Sequence, residues 1–503
     1  MTPSPAPRRV PAPPTRRGLH RVLPRGFALA TACLLSAQFA LQAADVQTQD
    51  PQNWAEFRGP HRSGALEGTR FPSAFGPGTN QSWSVAVPGG HSSPSISGST
   101  LVVTGFESNR LVTLALDRHS GATRWRAEIP PGKIESGSRL SHPATATATA
   151  ASDGERWVSY FAPFGLVAYA PDGRELWRHP LPTPITQHGA SSSPVIAGGL
   201  VLQLCDQDID SYLLAVDLRT GERRWRVERP GVRRSFSTPL PWPAHNPELV
   251  VVAGTLGLVA YDLADGSERW RVRGLPNEMV ASPVADDAAI YVAGWTSGAG
   301  VPSLPAWTDL LTPGDQDQDG RLSRDEAPPG PAKQHFTYLD ADKDGFITET
   351  EYTSIARIFQ ESRNTALAVK PGGRGDITDS HVLWRAQRGL PYVPTPLAYQ
   401  GLLYLVRNGG LASCLDARTG EYCYQEERLG ALGDYYSSPV AAGDRILVIS
   451  QPGTAVVYRA GRTLEVLSRV PLGEEVLATP ALAEDTLYIR TKTRMIAYHD
   501  PPP

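Results

Sequence analysis

None of the four cysteines in this 503-residue chain is adjacent to another, and none sits in a Cys-x-x-Cys-His run. Covalent haem attachment is thereby excluded. The chain also has no phosphate-cradling glycine loop, no nucleophile motif and no paired carboxylates set for acid–base work. Charge of one sign is scarce as well: a formal net charge of −3 gives no reason to expect nucleic acid or an anionic membrane surface as partner. The long apolar run is at the N-terminus, over 27–40, after Arg8, Arg9, Arg16, Arg17, Arg21 and Arg25 and before Ala43-Ala44. That order of basic, apolar and small residues reads as a secretory signal peptide, 1–44, and no transmembrane span is expected in the mature chain. Thr15-Arg16-Arg17 is a weak twin-arginine match, and Cys33 sits inside the apolar run, which argues against a lipoprotein. The expectation is a periplasmic or secreted protein whose 41% apolar residues can fill a core.

What the chain has in abundance is a repeat. A Ser-x-Pro or Thr-Pro start, an apolar run and then Leu-Asp-x-x-x-Gly-x-x-x-Trp describe the unit; in the first, Ser92-Ser93-Pro94 leads to Asp117, Gly121 and Trp125. The frame returns at Asp172-Gly173-Trp177, Asp217-Gly221-Trp225 and Asp262-Gly266-Trp270, then imperfectly at Trp384 and at Asp416-Gly420-Tyr424. Anchors lie roughly 40 to 52 residues apart, the length of a propeller blade. Eight starts are counted: Pro94, His142-Pro143, Ser193-Pro194, Thr238-Pro239, Ser282-Pro283, Thr395-Pro396, Ser438-Pro439 and Thr479-Pro480. Runs such as Val251-Val252-Ala253 and Ile446-Leu447-Val448-Ile449 have strand chemistry, and Asp-x-x-Thr-Gly is a turn with Gly where φ is positive. The last unit stops after three strands, while Ser82 to Val87 is a strand with no blade before it. Pairing the two closes the ring and removes an open sheet edge. The expected fold is all-β, an eight-bladed β-propeller.

The Leu-x-Ala-Leu-Asp-x-x-Thr-Gly-x-x-x-Trp signature resembles the repeat of the pyrroloquinoline-quinone-like propeller superfamily over about residues 81 to 499, and Trp54 to Pro60 resembles the leader of bacterial members. The resemblance implies either a quinoprotein alcohol dehydrogenase or a non-enzymatic outer-membrane assembly protein. Methanol-dehydrogenase-like members carry a vicinal cysteine pair above the quinone, which this sequence lacks. The sequence therefore argues against pyrroloquinoline quinone as cofactor.

A second pattern interrupts blade five. Asp315, Asp317, Asp319, Arg321, Ser323 and Glu326 occupy positions one, three, five, seven, nine and twelve of one acidic loop, and Asp340, Asp342, Asp344, Phe346, Thr348 and Glu351 those of another. Both match the calcium loop of the EF-hand family, with Gly320 and Gly345 at the sharp bend. Calcium takes six to eight oxygens, so alternating carboxylates, the Arg321 or Phe346 carbonyl and a two-oxygen Glu can surround it. Leu322 and Ile347 should pair in a short β-bridge over a core of Phe336, Leu339, Tyr352, Ile355 and Phe359. The expected organisation is a signal peptide (1–44), an N-terminal segment (45–80), propeller (81–302), a small α-helical EF-hand insertion (303–363), propeller again (364–499) and a tail (500–503).

Residues before each blade start converge towards the axis: His91, His142, His188, Arg234, Glu278, Tyr392, Tyr435 and Glu475 are candidates for a small polar ligand at the channel mouth. The repeated tryptophans read as inter-blade packing. If Leu415 pairs with Tyr422, Cys414 and Cys423 face each other across a hairpin, as a disulfide in an oxidising compartment or as two packed thiols. The functional expectation is an extracytoplasmic calcium-binding propeller serving as a binding or assembly scaffold with a protein partner in the cell envelope; the alternative is a quinone-dependent alcohol or sugar dehydrogenase.

Overall fold

Each repeat folds as a four-stranded antiparallel meander because its two middle strands are buried on both faces, whereas its outer strand alternates. In the first blade Leu101, Val102, Leu114 and Ala115 are buried, and the outer strand Thr123–Ile129 turns Trp125 inward between exposed Arg124 and Arg126. The computed structural model describes residues 53–131, 146–186, 189–297, 299 and 305–502. The signal-peptide reading, Cys33, His142 and His188 lie outside them.

Eight such sheets form the propeller, with innermost strands starting at Ser95, Ala151, Val195, Leu240, Val284, Leu397, Val440 and Ala481. The eighth is completed by Gln81–Ala86, antiparallel to Arg494–Tyr498, so the two ends of the propeller close one blade. A hydroxyl ring joins the blades around the axis. The amide of Ser93 donates to Thr149 Oγ1, Thr149 to Ser193 Oγ, Ser193 to Thr238 Oγ1 and Thr238 to Ser282 Oγ; Ser282, Thr395, Ser438 and Thr479 carry the ring back to Ser93 Oγ, all at 2.8 to 3.2 Å. Seven of these residues precede proline, which holds them extended and fixes the hydroxyl's direction. The eighth corrects the expected start of blade two: Thr149-Ala150, not His142-Pro143, takes the position. The hydroxyl performs the task, and proline only supports it.

The tryptophans clamp neighbouring blades. The indole N–H groups of Trp83, Trp125, Trp177, Trp225 and Trp384 donate to the carbonyls of Arg118, Pro171, Leu218, Leu263 and Ala417 in the next blade, at 2.9 to 3.0 Å. Their rings lie flat on that blade's turn glycine. A Cβ on Gly121, Gly173, Gly221, Gly266 or Gly420 would come within 2.6 to 2.8 Å of the indole, and each of these glycines has positive φ. Glycine is thus required twice, for the turn and for the clamp. Trp270 departs from the pattern. Blade five replaces the turn by a longer connection in which Gly375–Asp376 pairs in parallel with Trp270 and Arg271, and the buried Trp270 N–H has no partner among the described residues.

The leader crosses the face that carries the first-to-second-strand turns. Trp54 O accepts from Ile96 N in blade one, Ala55 O from Ser152 N in blade two, and the buried Arg58 guanidinium donates to Pro396 O and Pro439 O of blades six and seven. Burial without a carboxylate pulls the Arg58 pKa down to about 9.

The cysteine hairpin keeps two thiols, one of the two expected states, but in a different register from the one expected. Leu415 does pair with Tyr422, but a bulge sets Cys414 opposite Tyr424 and leaves Cys423 unpaired in the ladder. Both thiols are free; burial raises the Cys414 pKa, and the neighbouring Cys423 sulfur adds to the shift.

Candidate metal centre and channel mouth

Between the second strand of blade five, Ile290–Gly294, and the third, Thr365–Val369, the chain makes helices Trp307–Gly314, Pro331–Gln334, Phe336–Leu339 and Glu349–Glu361. Leu322–Ser323 pairs antiparallel with Phe346–Ile347, putting Leu322 opposite Ile347. A separate core forms under this bridge from Trp307, Leu322, Phe336, Leu339, Ile347, Tyr352 and Ile355, with Phe359 only partly buried. Trp307 was not among the residues expected there.

The two acidic loops flank the bridge. Carboxylate oxygens of Asp315, Asp317 and Glu326 lie within 4.8 Å of one another, as do those of Asp340, Asp342 and Glu351. Asp319 and Asp344 stand outside these triads. Asp319 Oδ2 pairs with Arg321 at 2.7 Å, and Asp344 Oδ1 accepts from Phe346 N. Ser323 and Thr348 donate their hydroxyls to Glu326 and Glu351 at 2.7 Å, and Thr348 caps the helix that begins at Glu349. That contact with Ser323 holds the Glu326 carboxyl below the usual range. Asp340 behaves oppositely. It is buried, its Oδ1 has no hydrogen-bond partner among the described residues, and burial raises its pKa, with Glu351, Asp344 and Asp342 adding like charge.

The same short helix that leads into Asp340 docks the insert on the propeller. Tyr338 O accepts from Arg233 Nη2 at 3.0 Å, and the guanidinium carbons of Arg234 and Arg233 lie 4.2 and 4.7 Å from the Tyr338 ring centroid. Arg234 is held by Asp208 at 2.5 and 3.1 Å, a buried bidentate pair. A second tie runs through Asn277: its N–H donates to Ser362 Oγ at 2.8 Å, and its Oδ1 accepts from Thr296 Oγ1 at 2.6 Å.

The channel-mouth candidates therefore divide. His91 lines the axial cavity, and burial lowers its pKa, with Arg490 adding to the shift. Glu278, raised by burial, is 3.5 Å from Tyr392 Oη beside the Arg234–Asp208 pair. Glu475 pairs with Lys492 at 2.7 Å. Tyr435 is not at the mouth: it is fully buried, with its hydroxyl on Ala431 O, because its ring packs between blades six and seven. Asp208, Arg233 and Tyr338 were missed by sequence reasoning, although the Arg233-Arg234 doublet just before a blade start was a usable signal.

The axial cavity itself has a volume of about 140 Å³. Five apolar side chains, Phe57, Phe236, Val280, Val393 and Leu477, line it with the ring hydroxyls, and among the described residues His91 and Tyr436 are its ionisable side chains.

Comparison with known proteins is consistent at every level of the fold. A family model described as outer membrane protein assembly factor BamB matches residues 74–210, 108–271, 210–306 and 361–500. Among solved structures, BamB from Moraxella catarrhalis superposes with a TM-score of 0.52 at 14% identity, covering 83% of this chain and 97% of that one. A europium-containing methanol dehydrogenase gives 0.56 at 11%, covering 88% and 90%. A quinohemoprotein alcohol dehydrogenase from Comamonas testosteroni gives 0.52 at 14%, covering 92% and 85%. No curated protein matches the chain by sequence. At these identities the structural likeness establishes the propeller and nothing finer.

Proposed function

We propose that this chain, which belongs to the repeat family described as outer membrane protein assembly factor BamB, is an extracytoplasmic propeller that binds calcium in its blade-five insert and serves as a binding or assembly platform. The observation that carries the calcium reading is Asp340: a buried carboxylate oxygen with no partner, facing two further carboxylates across less than 5 Å. Three converging like charges call for a hard cation, and the loop spacing supplies oxygens of the EF-hand kind from Asp340, Asp342, Asp344, the Phe346 carbonyl, Thr348 and Glu351. The first loop offers the same set from Asp315, Asp317, Asp319, the Arg321 carbonyl, Ser323 and Glu326. There the Arg321 guanidinium on Asp319 competes with the cation, so the first loop is the weaker site. Periplasmic or secreted placement rests on the signal-peptide reading and on the family description; no helix among the described residues is long and apolar enough to cross a membrane.

The quinone reading fits the axis poorly. A cavity of about 140 Å³ is below the roughly 300 to 1,000 Å³ of sites for ligands of that size. A fused-ring quinone bearing carboxylates also needs cations, whereas among the described residues the lining offers one imidazole, His91, whose pKa burial and the nearby Arg490 lower. The platform reading is tested by pull-down from an envelope extract with and without calcium, alongside anaerobic titration with quinone. Enrichment of a defined partner is expected; dye reduction dependent on quinone and alcohol, with no enriched partner, refutes it.

A further inference from the structure

A groove off the axis lies between blades five and six, has a volume of about 450 Å³, and opens on the face from which the insert emerges. Blade five contributes Trp295 from the end of its second strand and Gln387, Arg388 and Tyr392 from the connection after its fourth; blade six contributes Arg407 and Glu426.

Trp295 is 44% exposed, in contrast to the inter-blade clamp tryptophans, which are buried. It meets Tyr392 edge-on, with ring centroids 6.2 Å apart at 87°. A large aromatic left open beside polar groups, with no packing task of the clamp kind, is a surface made for contact. The facing wall carries several polar side chains. Arg407 and Glu426 form an ion pair that fixes both side chains, Gln387 carries a donor and an acceptor, and the Arg388 guanidinium has no ion-pair partner among the described residues.

We propose that this groove binds the pyranose ring of a glycan. A pyranose has a flat face of C–H groups and a rim of hydroxyls, each both donor and acceptor. The first matches an exposed indole; the second matches side chains that between them donate and accept hydrogen bonds. One alternative fits less well. A lipid chain needs a dry, apolar slot, which a lining with Gln387, Arg388, Arg407 and Glu426 does not offer. The unpaired Arg388 further favours a sugar that carries a carboxylate. This inference is independent of calcium binding.

The test is calorimetric titration of the full chain with maltohexaose, cellohexaose and trigalacturonate, and with a proline-rich decapeptide. Binding of at least one saccharide is expected, strongest for the uronate. Trp295→Ala should weaken it about tenfold or more with an unchanged melting temperature, since the indole is exposed. Arg388→Ala should remove the preference for the uronate over the neutral sugars. Saccharide binding that survives Trp295→Ala, no binding of any saccharide, or binding of the peptide alone overturns the proposal. Should Trp295→Ala fail to fold, protection of Trp295 by saccharide from N-bromosuccinimide, followed by peptide mapping, reads the same contact; absence of protection refutes it.

Discussion

Replacing Asp340 by Asn separates a metal site from an acidic turn, because the two readings predict opposite signs. Asn keeps an oxygen for the Gly345 amide but removes one charge from the triad with Asp342 and Glu351. At an effective dielectric constant of about 20, two charges this close repel by about 3 kcal/mol. Exposure of Asp342 screens much of that, leaving about 1 kcal/mol by which Asp340→Asn should stabilise the calcium-free insert. With calcium the sign reverses. If the site binds at about 10⁻⁴ to 10⁻³ M, as extracellular calcium modules do, 10 mM calcium stabilises the wild-type insert by about 1.4 to 2.7 kcal/mol, and the variant loses this gain. The pH profile adds a further check. A carboxyl whose pKa is raised by folding favours the folded state at low pH, and that stability is lost as pH rises from the unfolded value through the raised one. The calcium-free wild type should show this slope, and Asp340→Asn should not. The assay is amide hydrogen exchange over residues 305–363, in calcium and in chelator, with the propeller amides as internal control. Calcium-dependent protection that persists in Asp340→Asn, or a calcium-free variant less stable than wild type, refutes the reasoning.

Trp225→Phe removes the bond to Leu263 O, whereas Trp270→Phe removes an indole N–H that has no partner, so the first should cost about 1 kcal/mol more in chemical denaturation. Equal losses would show that the clamp is packing alone. Thr149→Val deletes one ring hydroxyl and strands the Ser93 amide, an expected loss of about 1 to 3 kcal/mol in the same assay. An unchanged midpoint would remove the ring from the account of closure.

The parts of the fold that repeat were legible because repetition makes one physical solution visible several times. Asp117, Asp217, Asp262 and Asp416 each accept backbone amides within their own turn, so the motif announces the turn wherever it occurs. Blade two was misplaced because His142-Pro143 imitates the start motif, whereas the ring needs a hydroxyl and Thr149 supplies it without proline. The bulge at Cys423 was invisible for a different reason: the Leu415–Tyr422 pairing was read correctly, but nothing local states that the ladder slips one residue later. The acidic loops were readable as loops, since a twelve-residue oxygen pattern is local in sequence. Their attachment to the propeller was not. Tyr338 lies 105 residues from Arg233 in sequence, and only the closed ring brings it to the Arg233, Arg234 and Asp208 cluster.

The two faces of the propeller have been given different tasks, and strand order explains why. Turns between the first and second strands, such as Gly98 and Asp485, meet the leader: Asn53 Oδ1 accepts from Gly98 N, and Asp485 takes Arg70 N. Trp54 and Arg58 also bond to blades one, six and seven, so the leader occupies that face. The insert leaves from a connection between second and third strands, which strand alternation puts on the opposite face. Trp295, the Glu278–Tyr392 contact and the Tyr338 dock belong to that same face. On that face Tyr338 joins the Asp340 loop to the buried Arg234–Asp208 pair, and the platform reading puts a partner there. On the calcium reading, chelation should speed amide exchange at Tyr338, two residues before Asp340, while the blade amides stay protected; equal exchange at Tyr338 with and without chelator would refute that coupling.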